Sequence, residues 1–214
     1  MKFFVDSAVV DDIKQAKALG LADGVTTNPT LIRKSGRDFR EAITEISGLV
    51  QGPVLAEPVS ETVEGILKEG RELAGWAPNV YVKIPLTRAG LEAVQIFRKE
   101  GIRSALTLIF NAAQALLAAK AGASIICPFV GRLDDIASPG MALIREIVDL
   151  YSNYPDIETE VIVASVRNAN HVVEAAACGA DGVTIPSKVI EQMMKHPLTD
   201  SGIRQFLADW NKVQ

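Results

Sequence analysis

The chain has 214 residues, which at a typical ~150 per domain implies one domain or two small ones. Lys and Arg total 22 against 26 Asp and Glu, a net charge of −4 that gives a nucleic-acid backbone little to hold. A composition 48% hydrophobic and 22% charged excludes disorder, and a chain this long buries roughly 70% of its unfolded surface without disulfides or a structural metal.

The N-terminus, MKFFVDSAVVDD, reaches an aspartate after three apolar residues and has no signal-peptide core. Eight short apolar runs then follow in order: KFFVDS, DGVTTN, PVLAEP, NVYVKIP, SALTLIF, SIICPFV, TEVIVAS and DGVTIP. Their nearly continuous hydrophobicity suits strands of a parallel sheet buried on both faces. Between them, the spacing of apolar residues predicts helices over Val9–Leu19, Asp38–Val50, Thr62–Leu73, Arg88–Lys99, Ala112–Ala121 and Leu133–Tyr151. Gly20, Gly52, Gly101, Gly122 and Gly179 fall where helices should stop. The longest charge-free run, Ser104–Ala119, is too short and too polar to span a bilayer. Ala-Asp-Gly-Val-Thr occurs twice, at Ala22–Thr26 and Ala180–Thr184. One helix-to-strand turn used twice accounts for that echo better than duplication does, with the function expected elsewhere.

Eight strand–helix units in 214 residues point to an α/β fold, a closed (β/α)₈ barrel of minimal size, since such barrels usually take ~250 residues. An open doubly wound sheet is the alternative, but no glycine fingerprint opens the first helix. One domain is expected over residues 1–214, with a C-terminal helix from about residue 200.

Barrels of this class gather their chemistry at the C-terminal strand ends. The polar residues closing the eight runs are Asp6, Asn28, Glu57, Lys83, Thr107, Arg132, Ser165 with Arg167, and Ser187. Lys83 lies between apolar neighbours in VYVKIP. A lysine turned into a barrel loses hydration, which favours the neutral amine and with it attack on a carbonyl. A salt bridge to Glu57, or a side chain reaching the rim, explains the same lysine without chemistry. Asp6 and Glu57 are candidate proton carriers for such a cycle, with the Thr107 hydroxyl beside them. They could equally form a buried network that only neutralises Lys83. Arg132, Ser165 and Arg167 supply planar donors and a hydroxyl suited to phosphate, on the late loops where this fold favours it.

The remaining features are bland. His171 and His196 stand 25 positions apart, without metal-ligand spacing, and are assigned to a helix face and a turn. Cys127 and Cys178 are expected as free thiols of a cytoplasmic protein, Cys127 as a small core residue. The last helix carries Ile203, Phe206, Leu207, Trp210 and Val213 at helical spacing, a stripe that covers either its own barrel or a neighbouring subunit.

Several segments resemble the transaldolase family: Asp23–Ile32, Val82–Pro85, PFVGRLDD at Pro128–Asp135, Ala164–Asn168, and the closing Lys195–Asp200 and Phe206–Trp210. The likeness runs in order along nearly the whole chain. It implies a metal-free and cofactor-free Schiff-base aldol mechanism on a (β/α)₈ barrel, with Lys83 as the Schiff-base lysine. By the same resemblance Asp6 handles the proton of the cleaved hydroxyl, and Glu57 and Thr107 position a water. Asn28 would contact the donor's hydroxyls, Thr26 and Phe129 would line the substrate, and Arg132, Ser165 and Arg167 would hold phosphate. Partners implied are sugar phosphates, with no nucleic acid or membrane, and a homo-oligomer: a pentamer or a decamer of two stacked pentamers, with the last helix reaching onto a neighbour.

The family contains transaldolases, which pass a dihydroxyacetone unit to an aldose phosphate, and fructose-6-phosphate aldolases, which release it. Glu57 and Phe129 resemble the transaldolases, where the aldolases carry Gln and Tyr. Ala105 cuts the other way, standing where transaldolases usually show Asn, and Asn168-Ala169-Asn170 stands where many relatives carry a proline after the arginine. The resemblance thus implies a transaldolase, with an aldolase as alternative. A non-catalytic sugar-phosphate-binding barrel remains a third reading.

Overall fold

The computed structural model describes residues 1–213. Its eight strands are β1 (Lys2–Asp6), β2 (Gly24–Thr26), β3 (Val54–Ala56), β4 (Val80–Pro85), β5 (Ser104–Ile109), β6 (Ile125–Pro128), β7 (Glu160–Val163) and β8 (Gly182–Ile185). All pair in parallel in sequence order, and β8 returns to β1 through Lys2↔Gly182 to Val5↔Ile185, closing the barrel. Each predicted apolar run supplies one strand, and the open-sheet alternative is overturned.

Period-2 alternation splits each strand between two cores. The residues facing outward pack under the helices with Val5, Val25, Val82, Leu106, Ile126 and Val183. A smaller cluster fills the barrel itself: Phe4, Leu55, Ala105, Ile125, Cys127, Ile162 and Ala164, flanked by Tyr81 and Phe129. The inward residues one step further along β1, β3, β4 and β5 are Asp6, Glu57, Lys83 and Thr107, so the apolar plug is the floor of a polar mouth.

Caps set the helix entrances. Thr62, Thr87, Asn111 and Asn168 accept from Gly65 N, Gly90 N, Gln114 N and His171 N, opening α4 (Val63–Ala74), α5 (Arg88–Lys99), α6 (Ala112–Ala121) and α9 (Ala169–Ala177). Gly20, Gly101, Gly122 and Gly179 take positive φ, as helix-ending glycines do. Gly52 does not; a Cβ there would stand 1.9 Å from the Asp23 carbonyl, so close backbone approach is what requires glycine. The left-handed position in that part of the chain is Gly36, which ends α2 (Pro29–Ser35).

Two helices lay outside the hydrophobic pattern, α2 and α10 (Ser187–Met194), while α9 carries His171 on the expected helix face. The single helix expected over Leu133–Tyr151 is two, α7 (Gly131–Asp134) and α8 (Gly140–Ser152). Ala137 at φ 59 and Pro139 break it, and the Asp134 carboxylate accepts from Gly140 N at 2.9 Å to restart it. The last helix, α11, runs Pro197–Trp210, starting ahead of residue 200. None of its residues is buried, and Leu198, Phe206 and Trp210 are at least 60% exposed, so it does not cover its own barrel.

Candidate active site

A cavity of about 530 Å³ opens at the C-terminal mouth of the barrel. Asp6, Thr26, Asn28, Glu57, Lys83, Thr107, Phe129, Arg132, Ser165 and Arg167 all line it. Ser187 does not; it opens α10 with its hydroxyl buried and without a partner among the described residues. The strand-eight residue that reaches the cavity is Thr184.

Lys83 is buried, its Nζ donating to the Thr27 carbonyl at 2.9 Å and lying 3.2 Å from Glu57 Oε2. The ion pair read from sequence therefore forms, within the cavity wall. The lysine is anchored by one backbone acceptor and one carboxylate, and its tip remains on the cavity surface. Thr107 lies opposite Pro85 in the β4–β5 register, and its buried Oγ1 has no partner among the described residues. A left-handed Leu108, φ 58, shifts the β5–β6 register immediately after it and turns the strand end at the rim.

Asp6 adjoins a pair of hydrogen-bonded threonines. The Thr26 hydroxyl donates to Asp6 Oδ1 at 2.9 Å and also bonds the Thr184 hydroxyl. Burial pushes the Asp6 carboxyl above its ordinary 3.8, opposed by the Thr26 hydrogen bond and the Lys83 charge.

Those two threonines end the two copies of Ala-Asp-Gly-Val-Thr, so the echo does reach the site. Both copies use one solution. Asp23 accepts from Phe3 N and Asp181 from Val161 N, each tying the new strand to the one beside it. A Cβ on Gly24 would fall 2.5 Å from the Phe4 ring, and one on Gly182 2.7 Å from Ile162 Cδ1. Each glycine thus makes room for a plug residue, and the threonine two places later faces the mouth.

Asn28 caps α2, accepting from Leu31 N at 2.9 Å, which leaves its amide NH₂ free. Cys127 lines the cavity floor; burial pushes its thiol up to about 12, so it stays protonated at neutral pH. Ala105 is fully buried in the barrel plug, beside Lys83 in register, and does not line the cavity.

At the rim, the Arg132 guanidinium lies 4.9 Å over the Phe129 ring, which Phe110 braces edge-on. Arg167 pairs with Asp135 at 2.8 Å. Lys34 and Lys188 line the same mouth, unanticipated from sequence because their helices, α2 and α10, were not anticipated either. Neither lysine, nor Arg132, has a carboxylate partner among the described residues. The mouth is therefore a cationic rim above a buried lysine with two carboxylates, suited to an anionic carbonyl compound.

Comparison with known proteins agrees. The family model described as Transaldolase/Fructose-6-phosphate aldolase matches residues 3–214. A protein of Caldicellulosiruptor saccharolyticus named "Probable transaldolase" is 57% identical over 213 residues, covering 100% of this chain and 98% of its own. One of the same name from Methanococcus maripaludis is 60% identical, covering 98% and 97%. Another, from Aquifex aeolicus, is 58% identical, covering 100% and 98%. Among solved structures, a mandelate oxidase variant with a monooxide FMN adduct superposes with TM-score 0.60 at 18% identity. It covers 86% of this chain, and 64% of the oxidase is matched, a likeness of fold alone. A closed barrel with this mouth and relatives this close along its full length place the chain in the transaldolase and fructose-6-phosphate aldolase family.

Proposed function

We propose that the protein is a transaldolase that moves a dihydroxyacetone unit from a ketose phosphate to an aldose phosphate through a Schiff base on Lys83. The observation that carries this reading is the buried Lys83 Nζ, 3.2 Å from Glu57, in one cavity with Asp6 and the arginine rim. The neutral amine attacks the ketose carbonyl, and loss of water from the carbinolamine gives an iminium, with Glu57 and the Thr107 hydroxyl moving protons through a water. Asp6 takes the proton of the hydroxyl on C4 as the C3–C4 bond breaks. The electron pair flows into the iminium, leaving an enamine on Lys83 and releasing an aldose phosphate. The enamine then adds to the second aldehyde, Asp6 returns the proton, and water frees the new ketose. Arg132, Ser165 and Arg167 hold the phosphate, Asn28 and Thr26 lie on the donor's side, and Phe129 walls the path to the rim.

The donor in this reading is fructose 6-phosphate or sedoheptulose 7-phosphate, with glyceraldehyde 3-phosphate or erythrose 4-phosphate as acceptor. Glyceraldehyde 3-phosphate should appear from fructose 6-phosphate only when erythrose 4-phosphate is present. Borohydride with substrate should fix a three-carbon adduct on Lys83, and an unlabelled lysine would remove the Schiff base from the mechanism.

The aldolase reading rests on one observation. Ala105 sits level with Lys83 and offers only a methyl, so no amide there helps to retain the enamine. Steady release without any acceptor would select it.

A further inference from the structure

We propose that His171 is a positioning residue that locks the two phosphate-binding arginines into one unit, and so governs how the site discriminates phosphorylated aldehydes. The inference rests on the phosphate role proposed above for Arg132 and Arg167.

Those arginines come from different loops. Arg132 lies on α7, after β6, and Arg167 follows β7. The backbones are laced together: Val130 N donates to the Ala164 carbonyl and Gly131 N to the Ser165 carbonyl, both at 3.0 Å. Gly131 permits this closeness, since a Cβ there would stand 2.2 Å from the Ser165 carbonyl and 2.5 Å from Arg167 Nε. Ser165 holds a left-handed φ of 60 at the same point.

A second lacing is made of side chains, and His171 is its centre. The imidazole is buried at the start of α9, outside the cavity lining. Its Nε2 lies 3.0 Å from Asp134 Oδ2, and its Nδ1 accepts from the Arg167 backbone N–H at 3.3 Å. The other Asp134 oxygen accepts from Gly140 N, so one carboxylate serves both the histidine and the restart of α8. Both histidine bonds exist together only for the neutral ring with its proton on Nε2, the tautomer that the Asp134 carboxylate selects. The exposed Asp135–Arg167 pair adds little to such a hold, because solvent screens it. The buried histidine therefore fixes where Arg167 starts, relative to the segment that carries Arg132. Phosphate recognition needs such placement to within about half an ångström.

The experiment follows dihydroxyacetone transfer from saturating fructose 6-phosphate to either erythrose 4-phosphate or unphosphorylated glyceraldehyde. His171→Ala should raise KM for the phosphorylated aldehyde on the order of tenfold and leave kcat/KM for glyceraldehyde within about twofold. Inhibition by inorganic phosphate should weaken in parallel. His171→Asn, whose side-chain carbonyl can accept from the Arg167 N–H, should recover part of the loss. Asp134→Asn, an exposed change that spares the fold, should shift the same ratio in the same direction. Equal losses on both aldehydes, or none on either, would overturn the proposal while Arg132→Ala still discriminates them. If Arg132→Ala fails to discriminate, the phosphate assignment itself is at fault.

Discussion

Asp6 illustrates how a functional side chain is held against its own preference. Its folded carboxyl titrates above the unfolded value, so between the two the folded state binds more protons. The cost to stability is present above the folded pKa and disappears as pH falls through it. Asp6→Asn keeps an acceptor for the Thr26 hydroxyl and removes the charge. It should abolish turnover yet stabilise the protein at pH 7 by roughly 1 kcal/mol, a gap that closes on acidification. Melting curves of both proteins at several pH values test this; an Asp6→Asn protein less stable at neutral pH would refute it. The raised titration also moves the acid limb of kcat/KM above that of an ordinary aspartate. Arg132→Ala should raise KM for fructose 6-phosphate about tenfold or more, while leaving unphosphorylated fructose little affected.

Among the elements, the break between α7 and α8 matters most, because it delivers Arg132 and Asp134 to the rim. Ala137 carries it at φ 59, where a Cβ is disfavoured by about 1–2 kcal/mol. Ala137→Gly should relieve more strain than it adds in unfolded-chain entropy, raising Tm by roughly 1–3 °C with activity unchanged. A lower Tm would mean that the turn is held by something other than its backbone. This element also marks where sequence reading stops. Strands and strand-end residues are legible, because burial on both faces writes an uninterrupted apolar run that a polar residue must end. Asp6, Glu57, Lys83 and Thr107 follow at once from that rule. Lys34 and Lys188 are illegible, because α2 and α10, 7 and 8 residues long, are too short to display a helical period. His171 reads as one more residue on a helix face, and its partners lie on a different unit that only folding brings near. Thr184 was written in the repeated pentapeptide, but its meaning needed the closure of β8 on β1.

For the whole molecule, charge and surface diverge from composition. A chain of net charge −4 turns four cations, Lys34, Arg132, Arg167 and Lys188, toward one opening. Such a rim raises the local concentration of phosphorylated substrates, and salt weakens it within a Debye length of ~8–10 Å. The kcat/KM for a sugar phosphate should fall with ionic strength, and Lys34→Glu should flatten that dependence while kcat holds. An unaltered slope would show that the two arginines act alone. The opposite character belongs to α11, whose Leu198, Ile203, Phe206, Leu207 and Trp210 are all more than half exposed. Such a contiguous stripe calls for a partner, and the family resemblance proposes a second subunit. Truncation after Lys195 should then reduce the sedimenting species to smaller assemblies, whereas an unchanged profile would assign the helix another role.

The two threonines linked beside Asp6 set an order in time. Thr26 is made early in the chain and Thr184 late, and their hydroxyls meet only when β8 docks against β1. The corner proposed to handle protons is thus built across the seam where the ring shuts, from segments more than 150 residues apart. Long-range pairing of this kind is slow to form, so a refolding chain regains most of its helix before it regains this corner. On the proposed mechanism, Lys83 lacks its complete proton relay during that interval, and a half-made barrel turns over no sugar. Recovery of activity should lag recovery of far-ultraviolet dichroism, which makes catalysis itself the signal that the last strand has closed the ring.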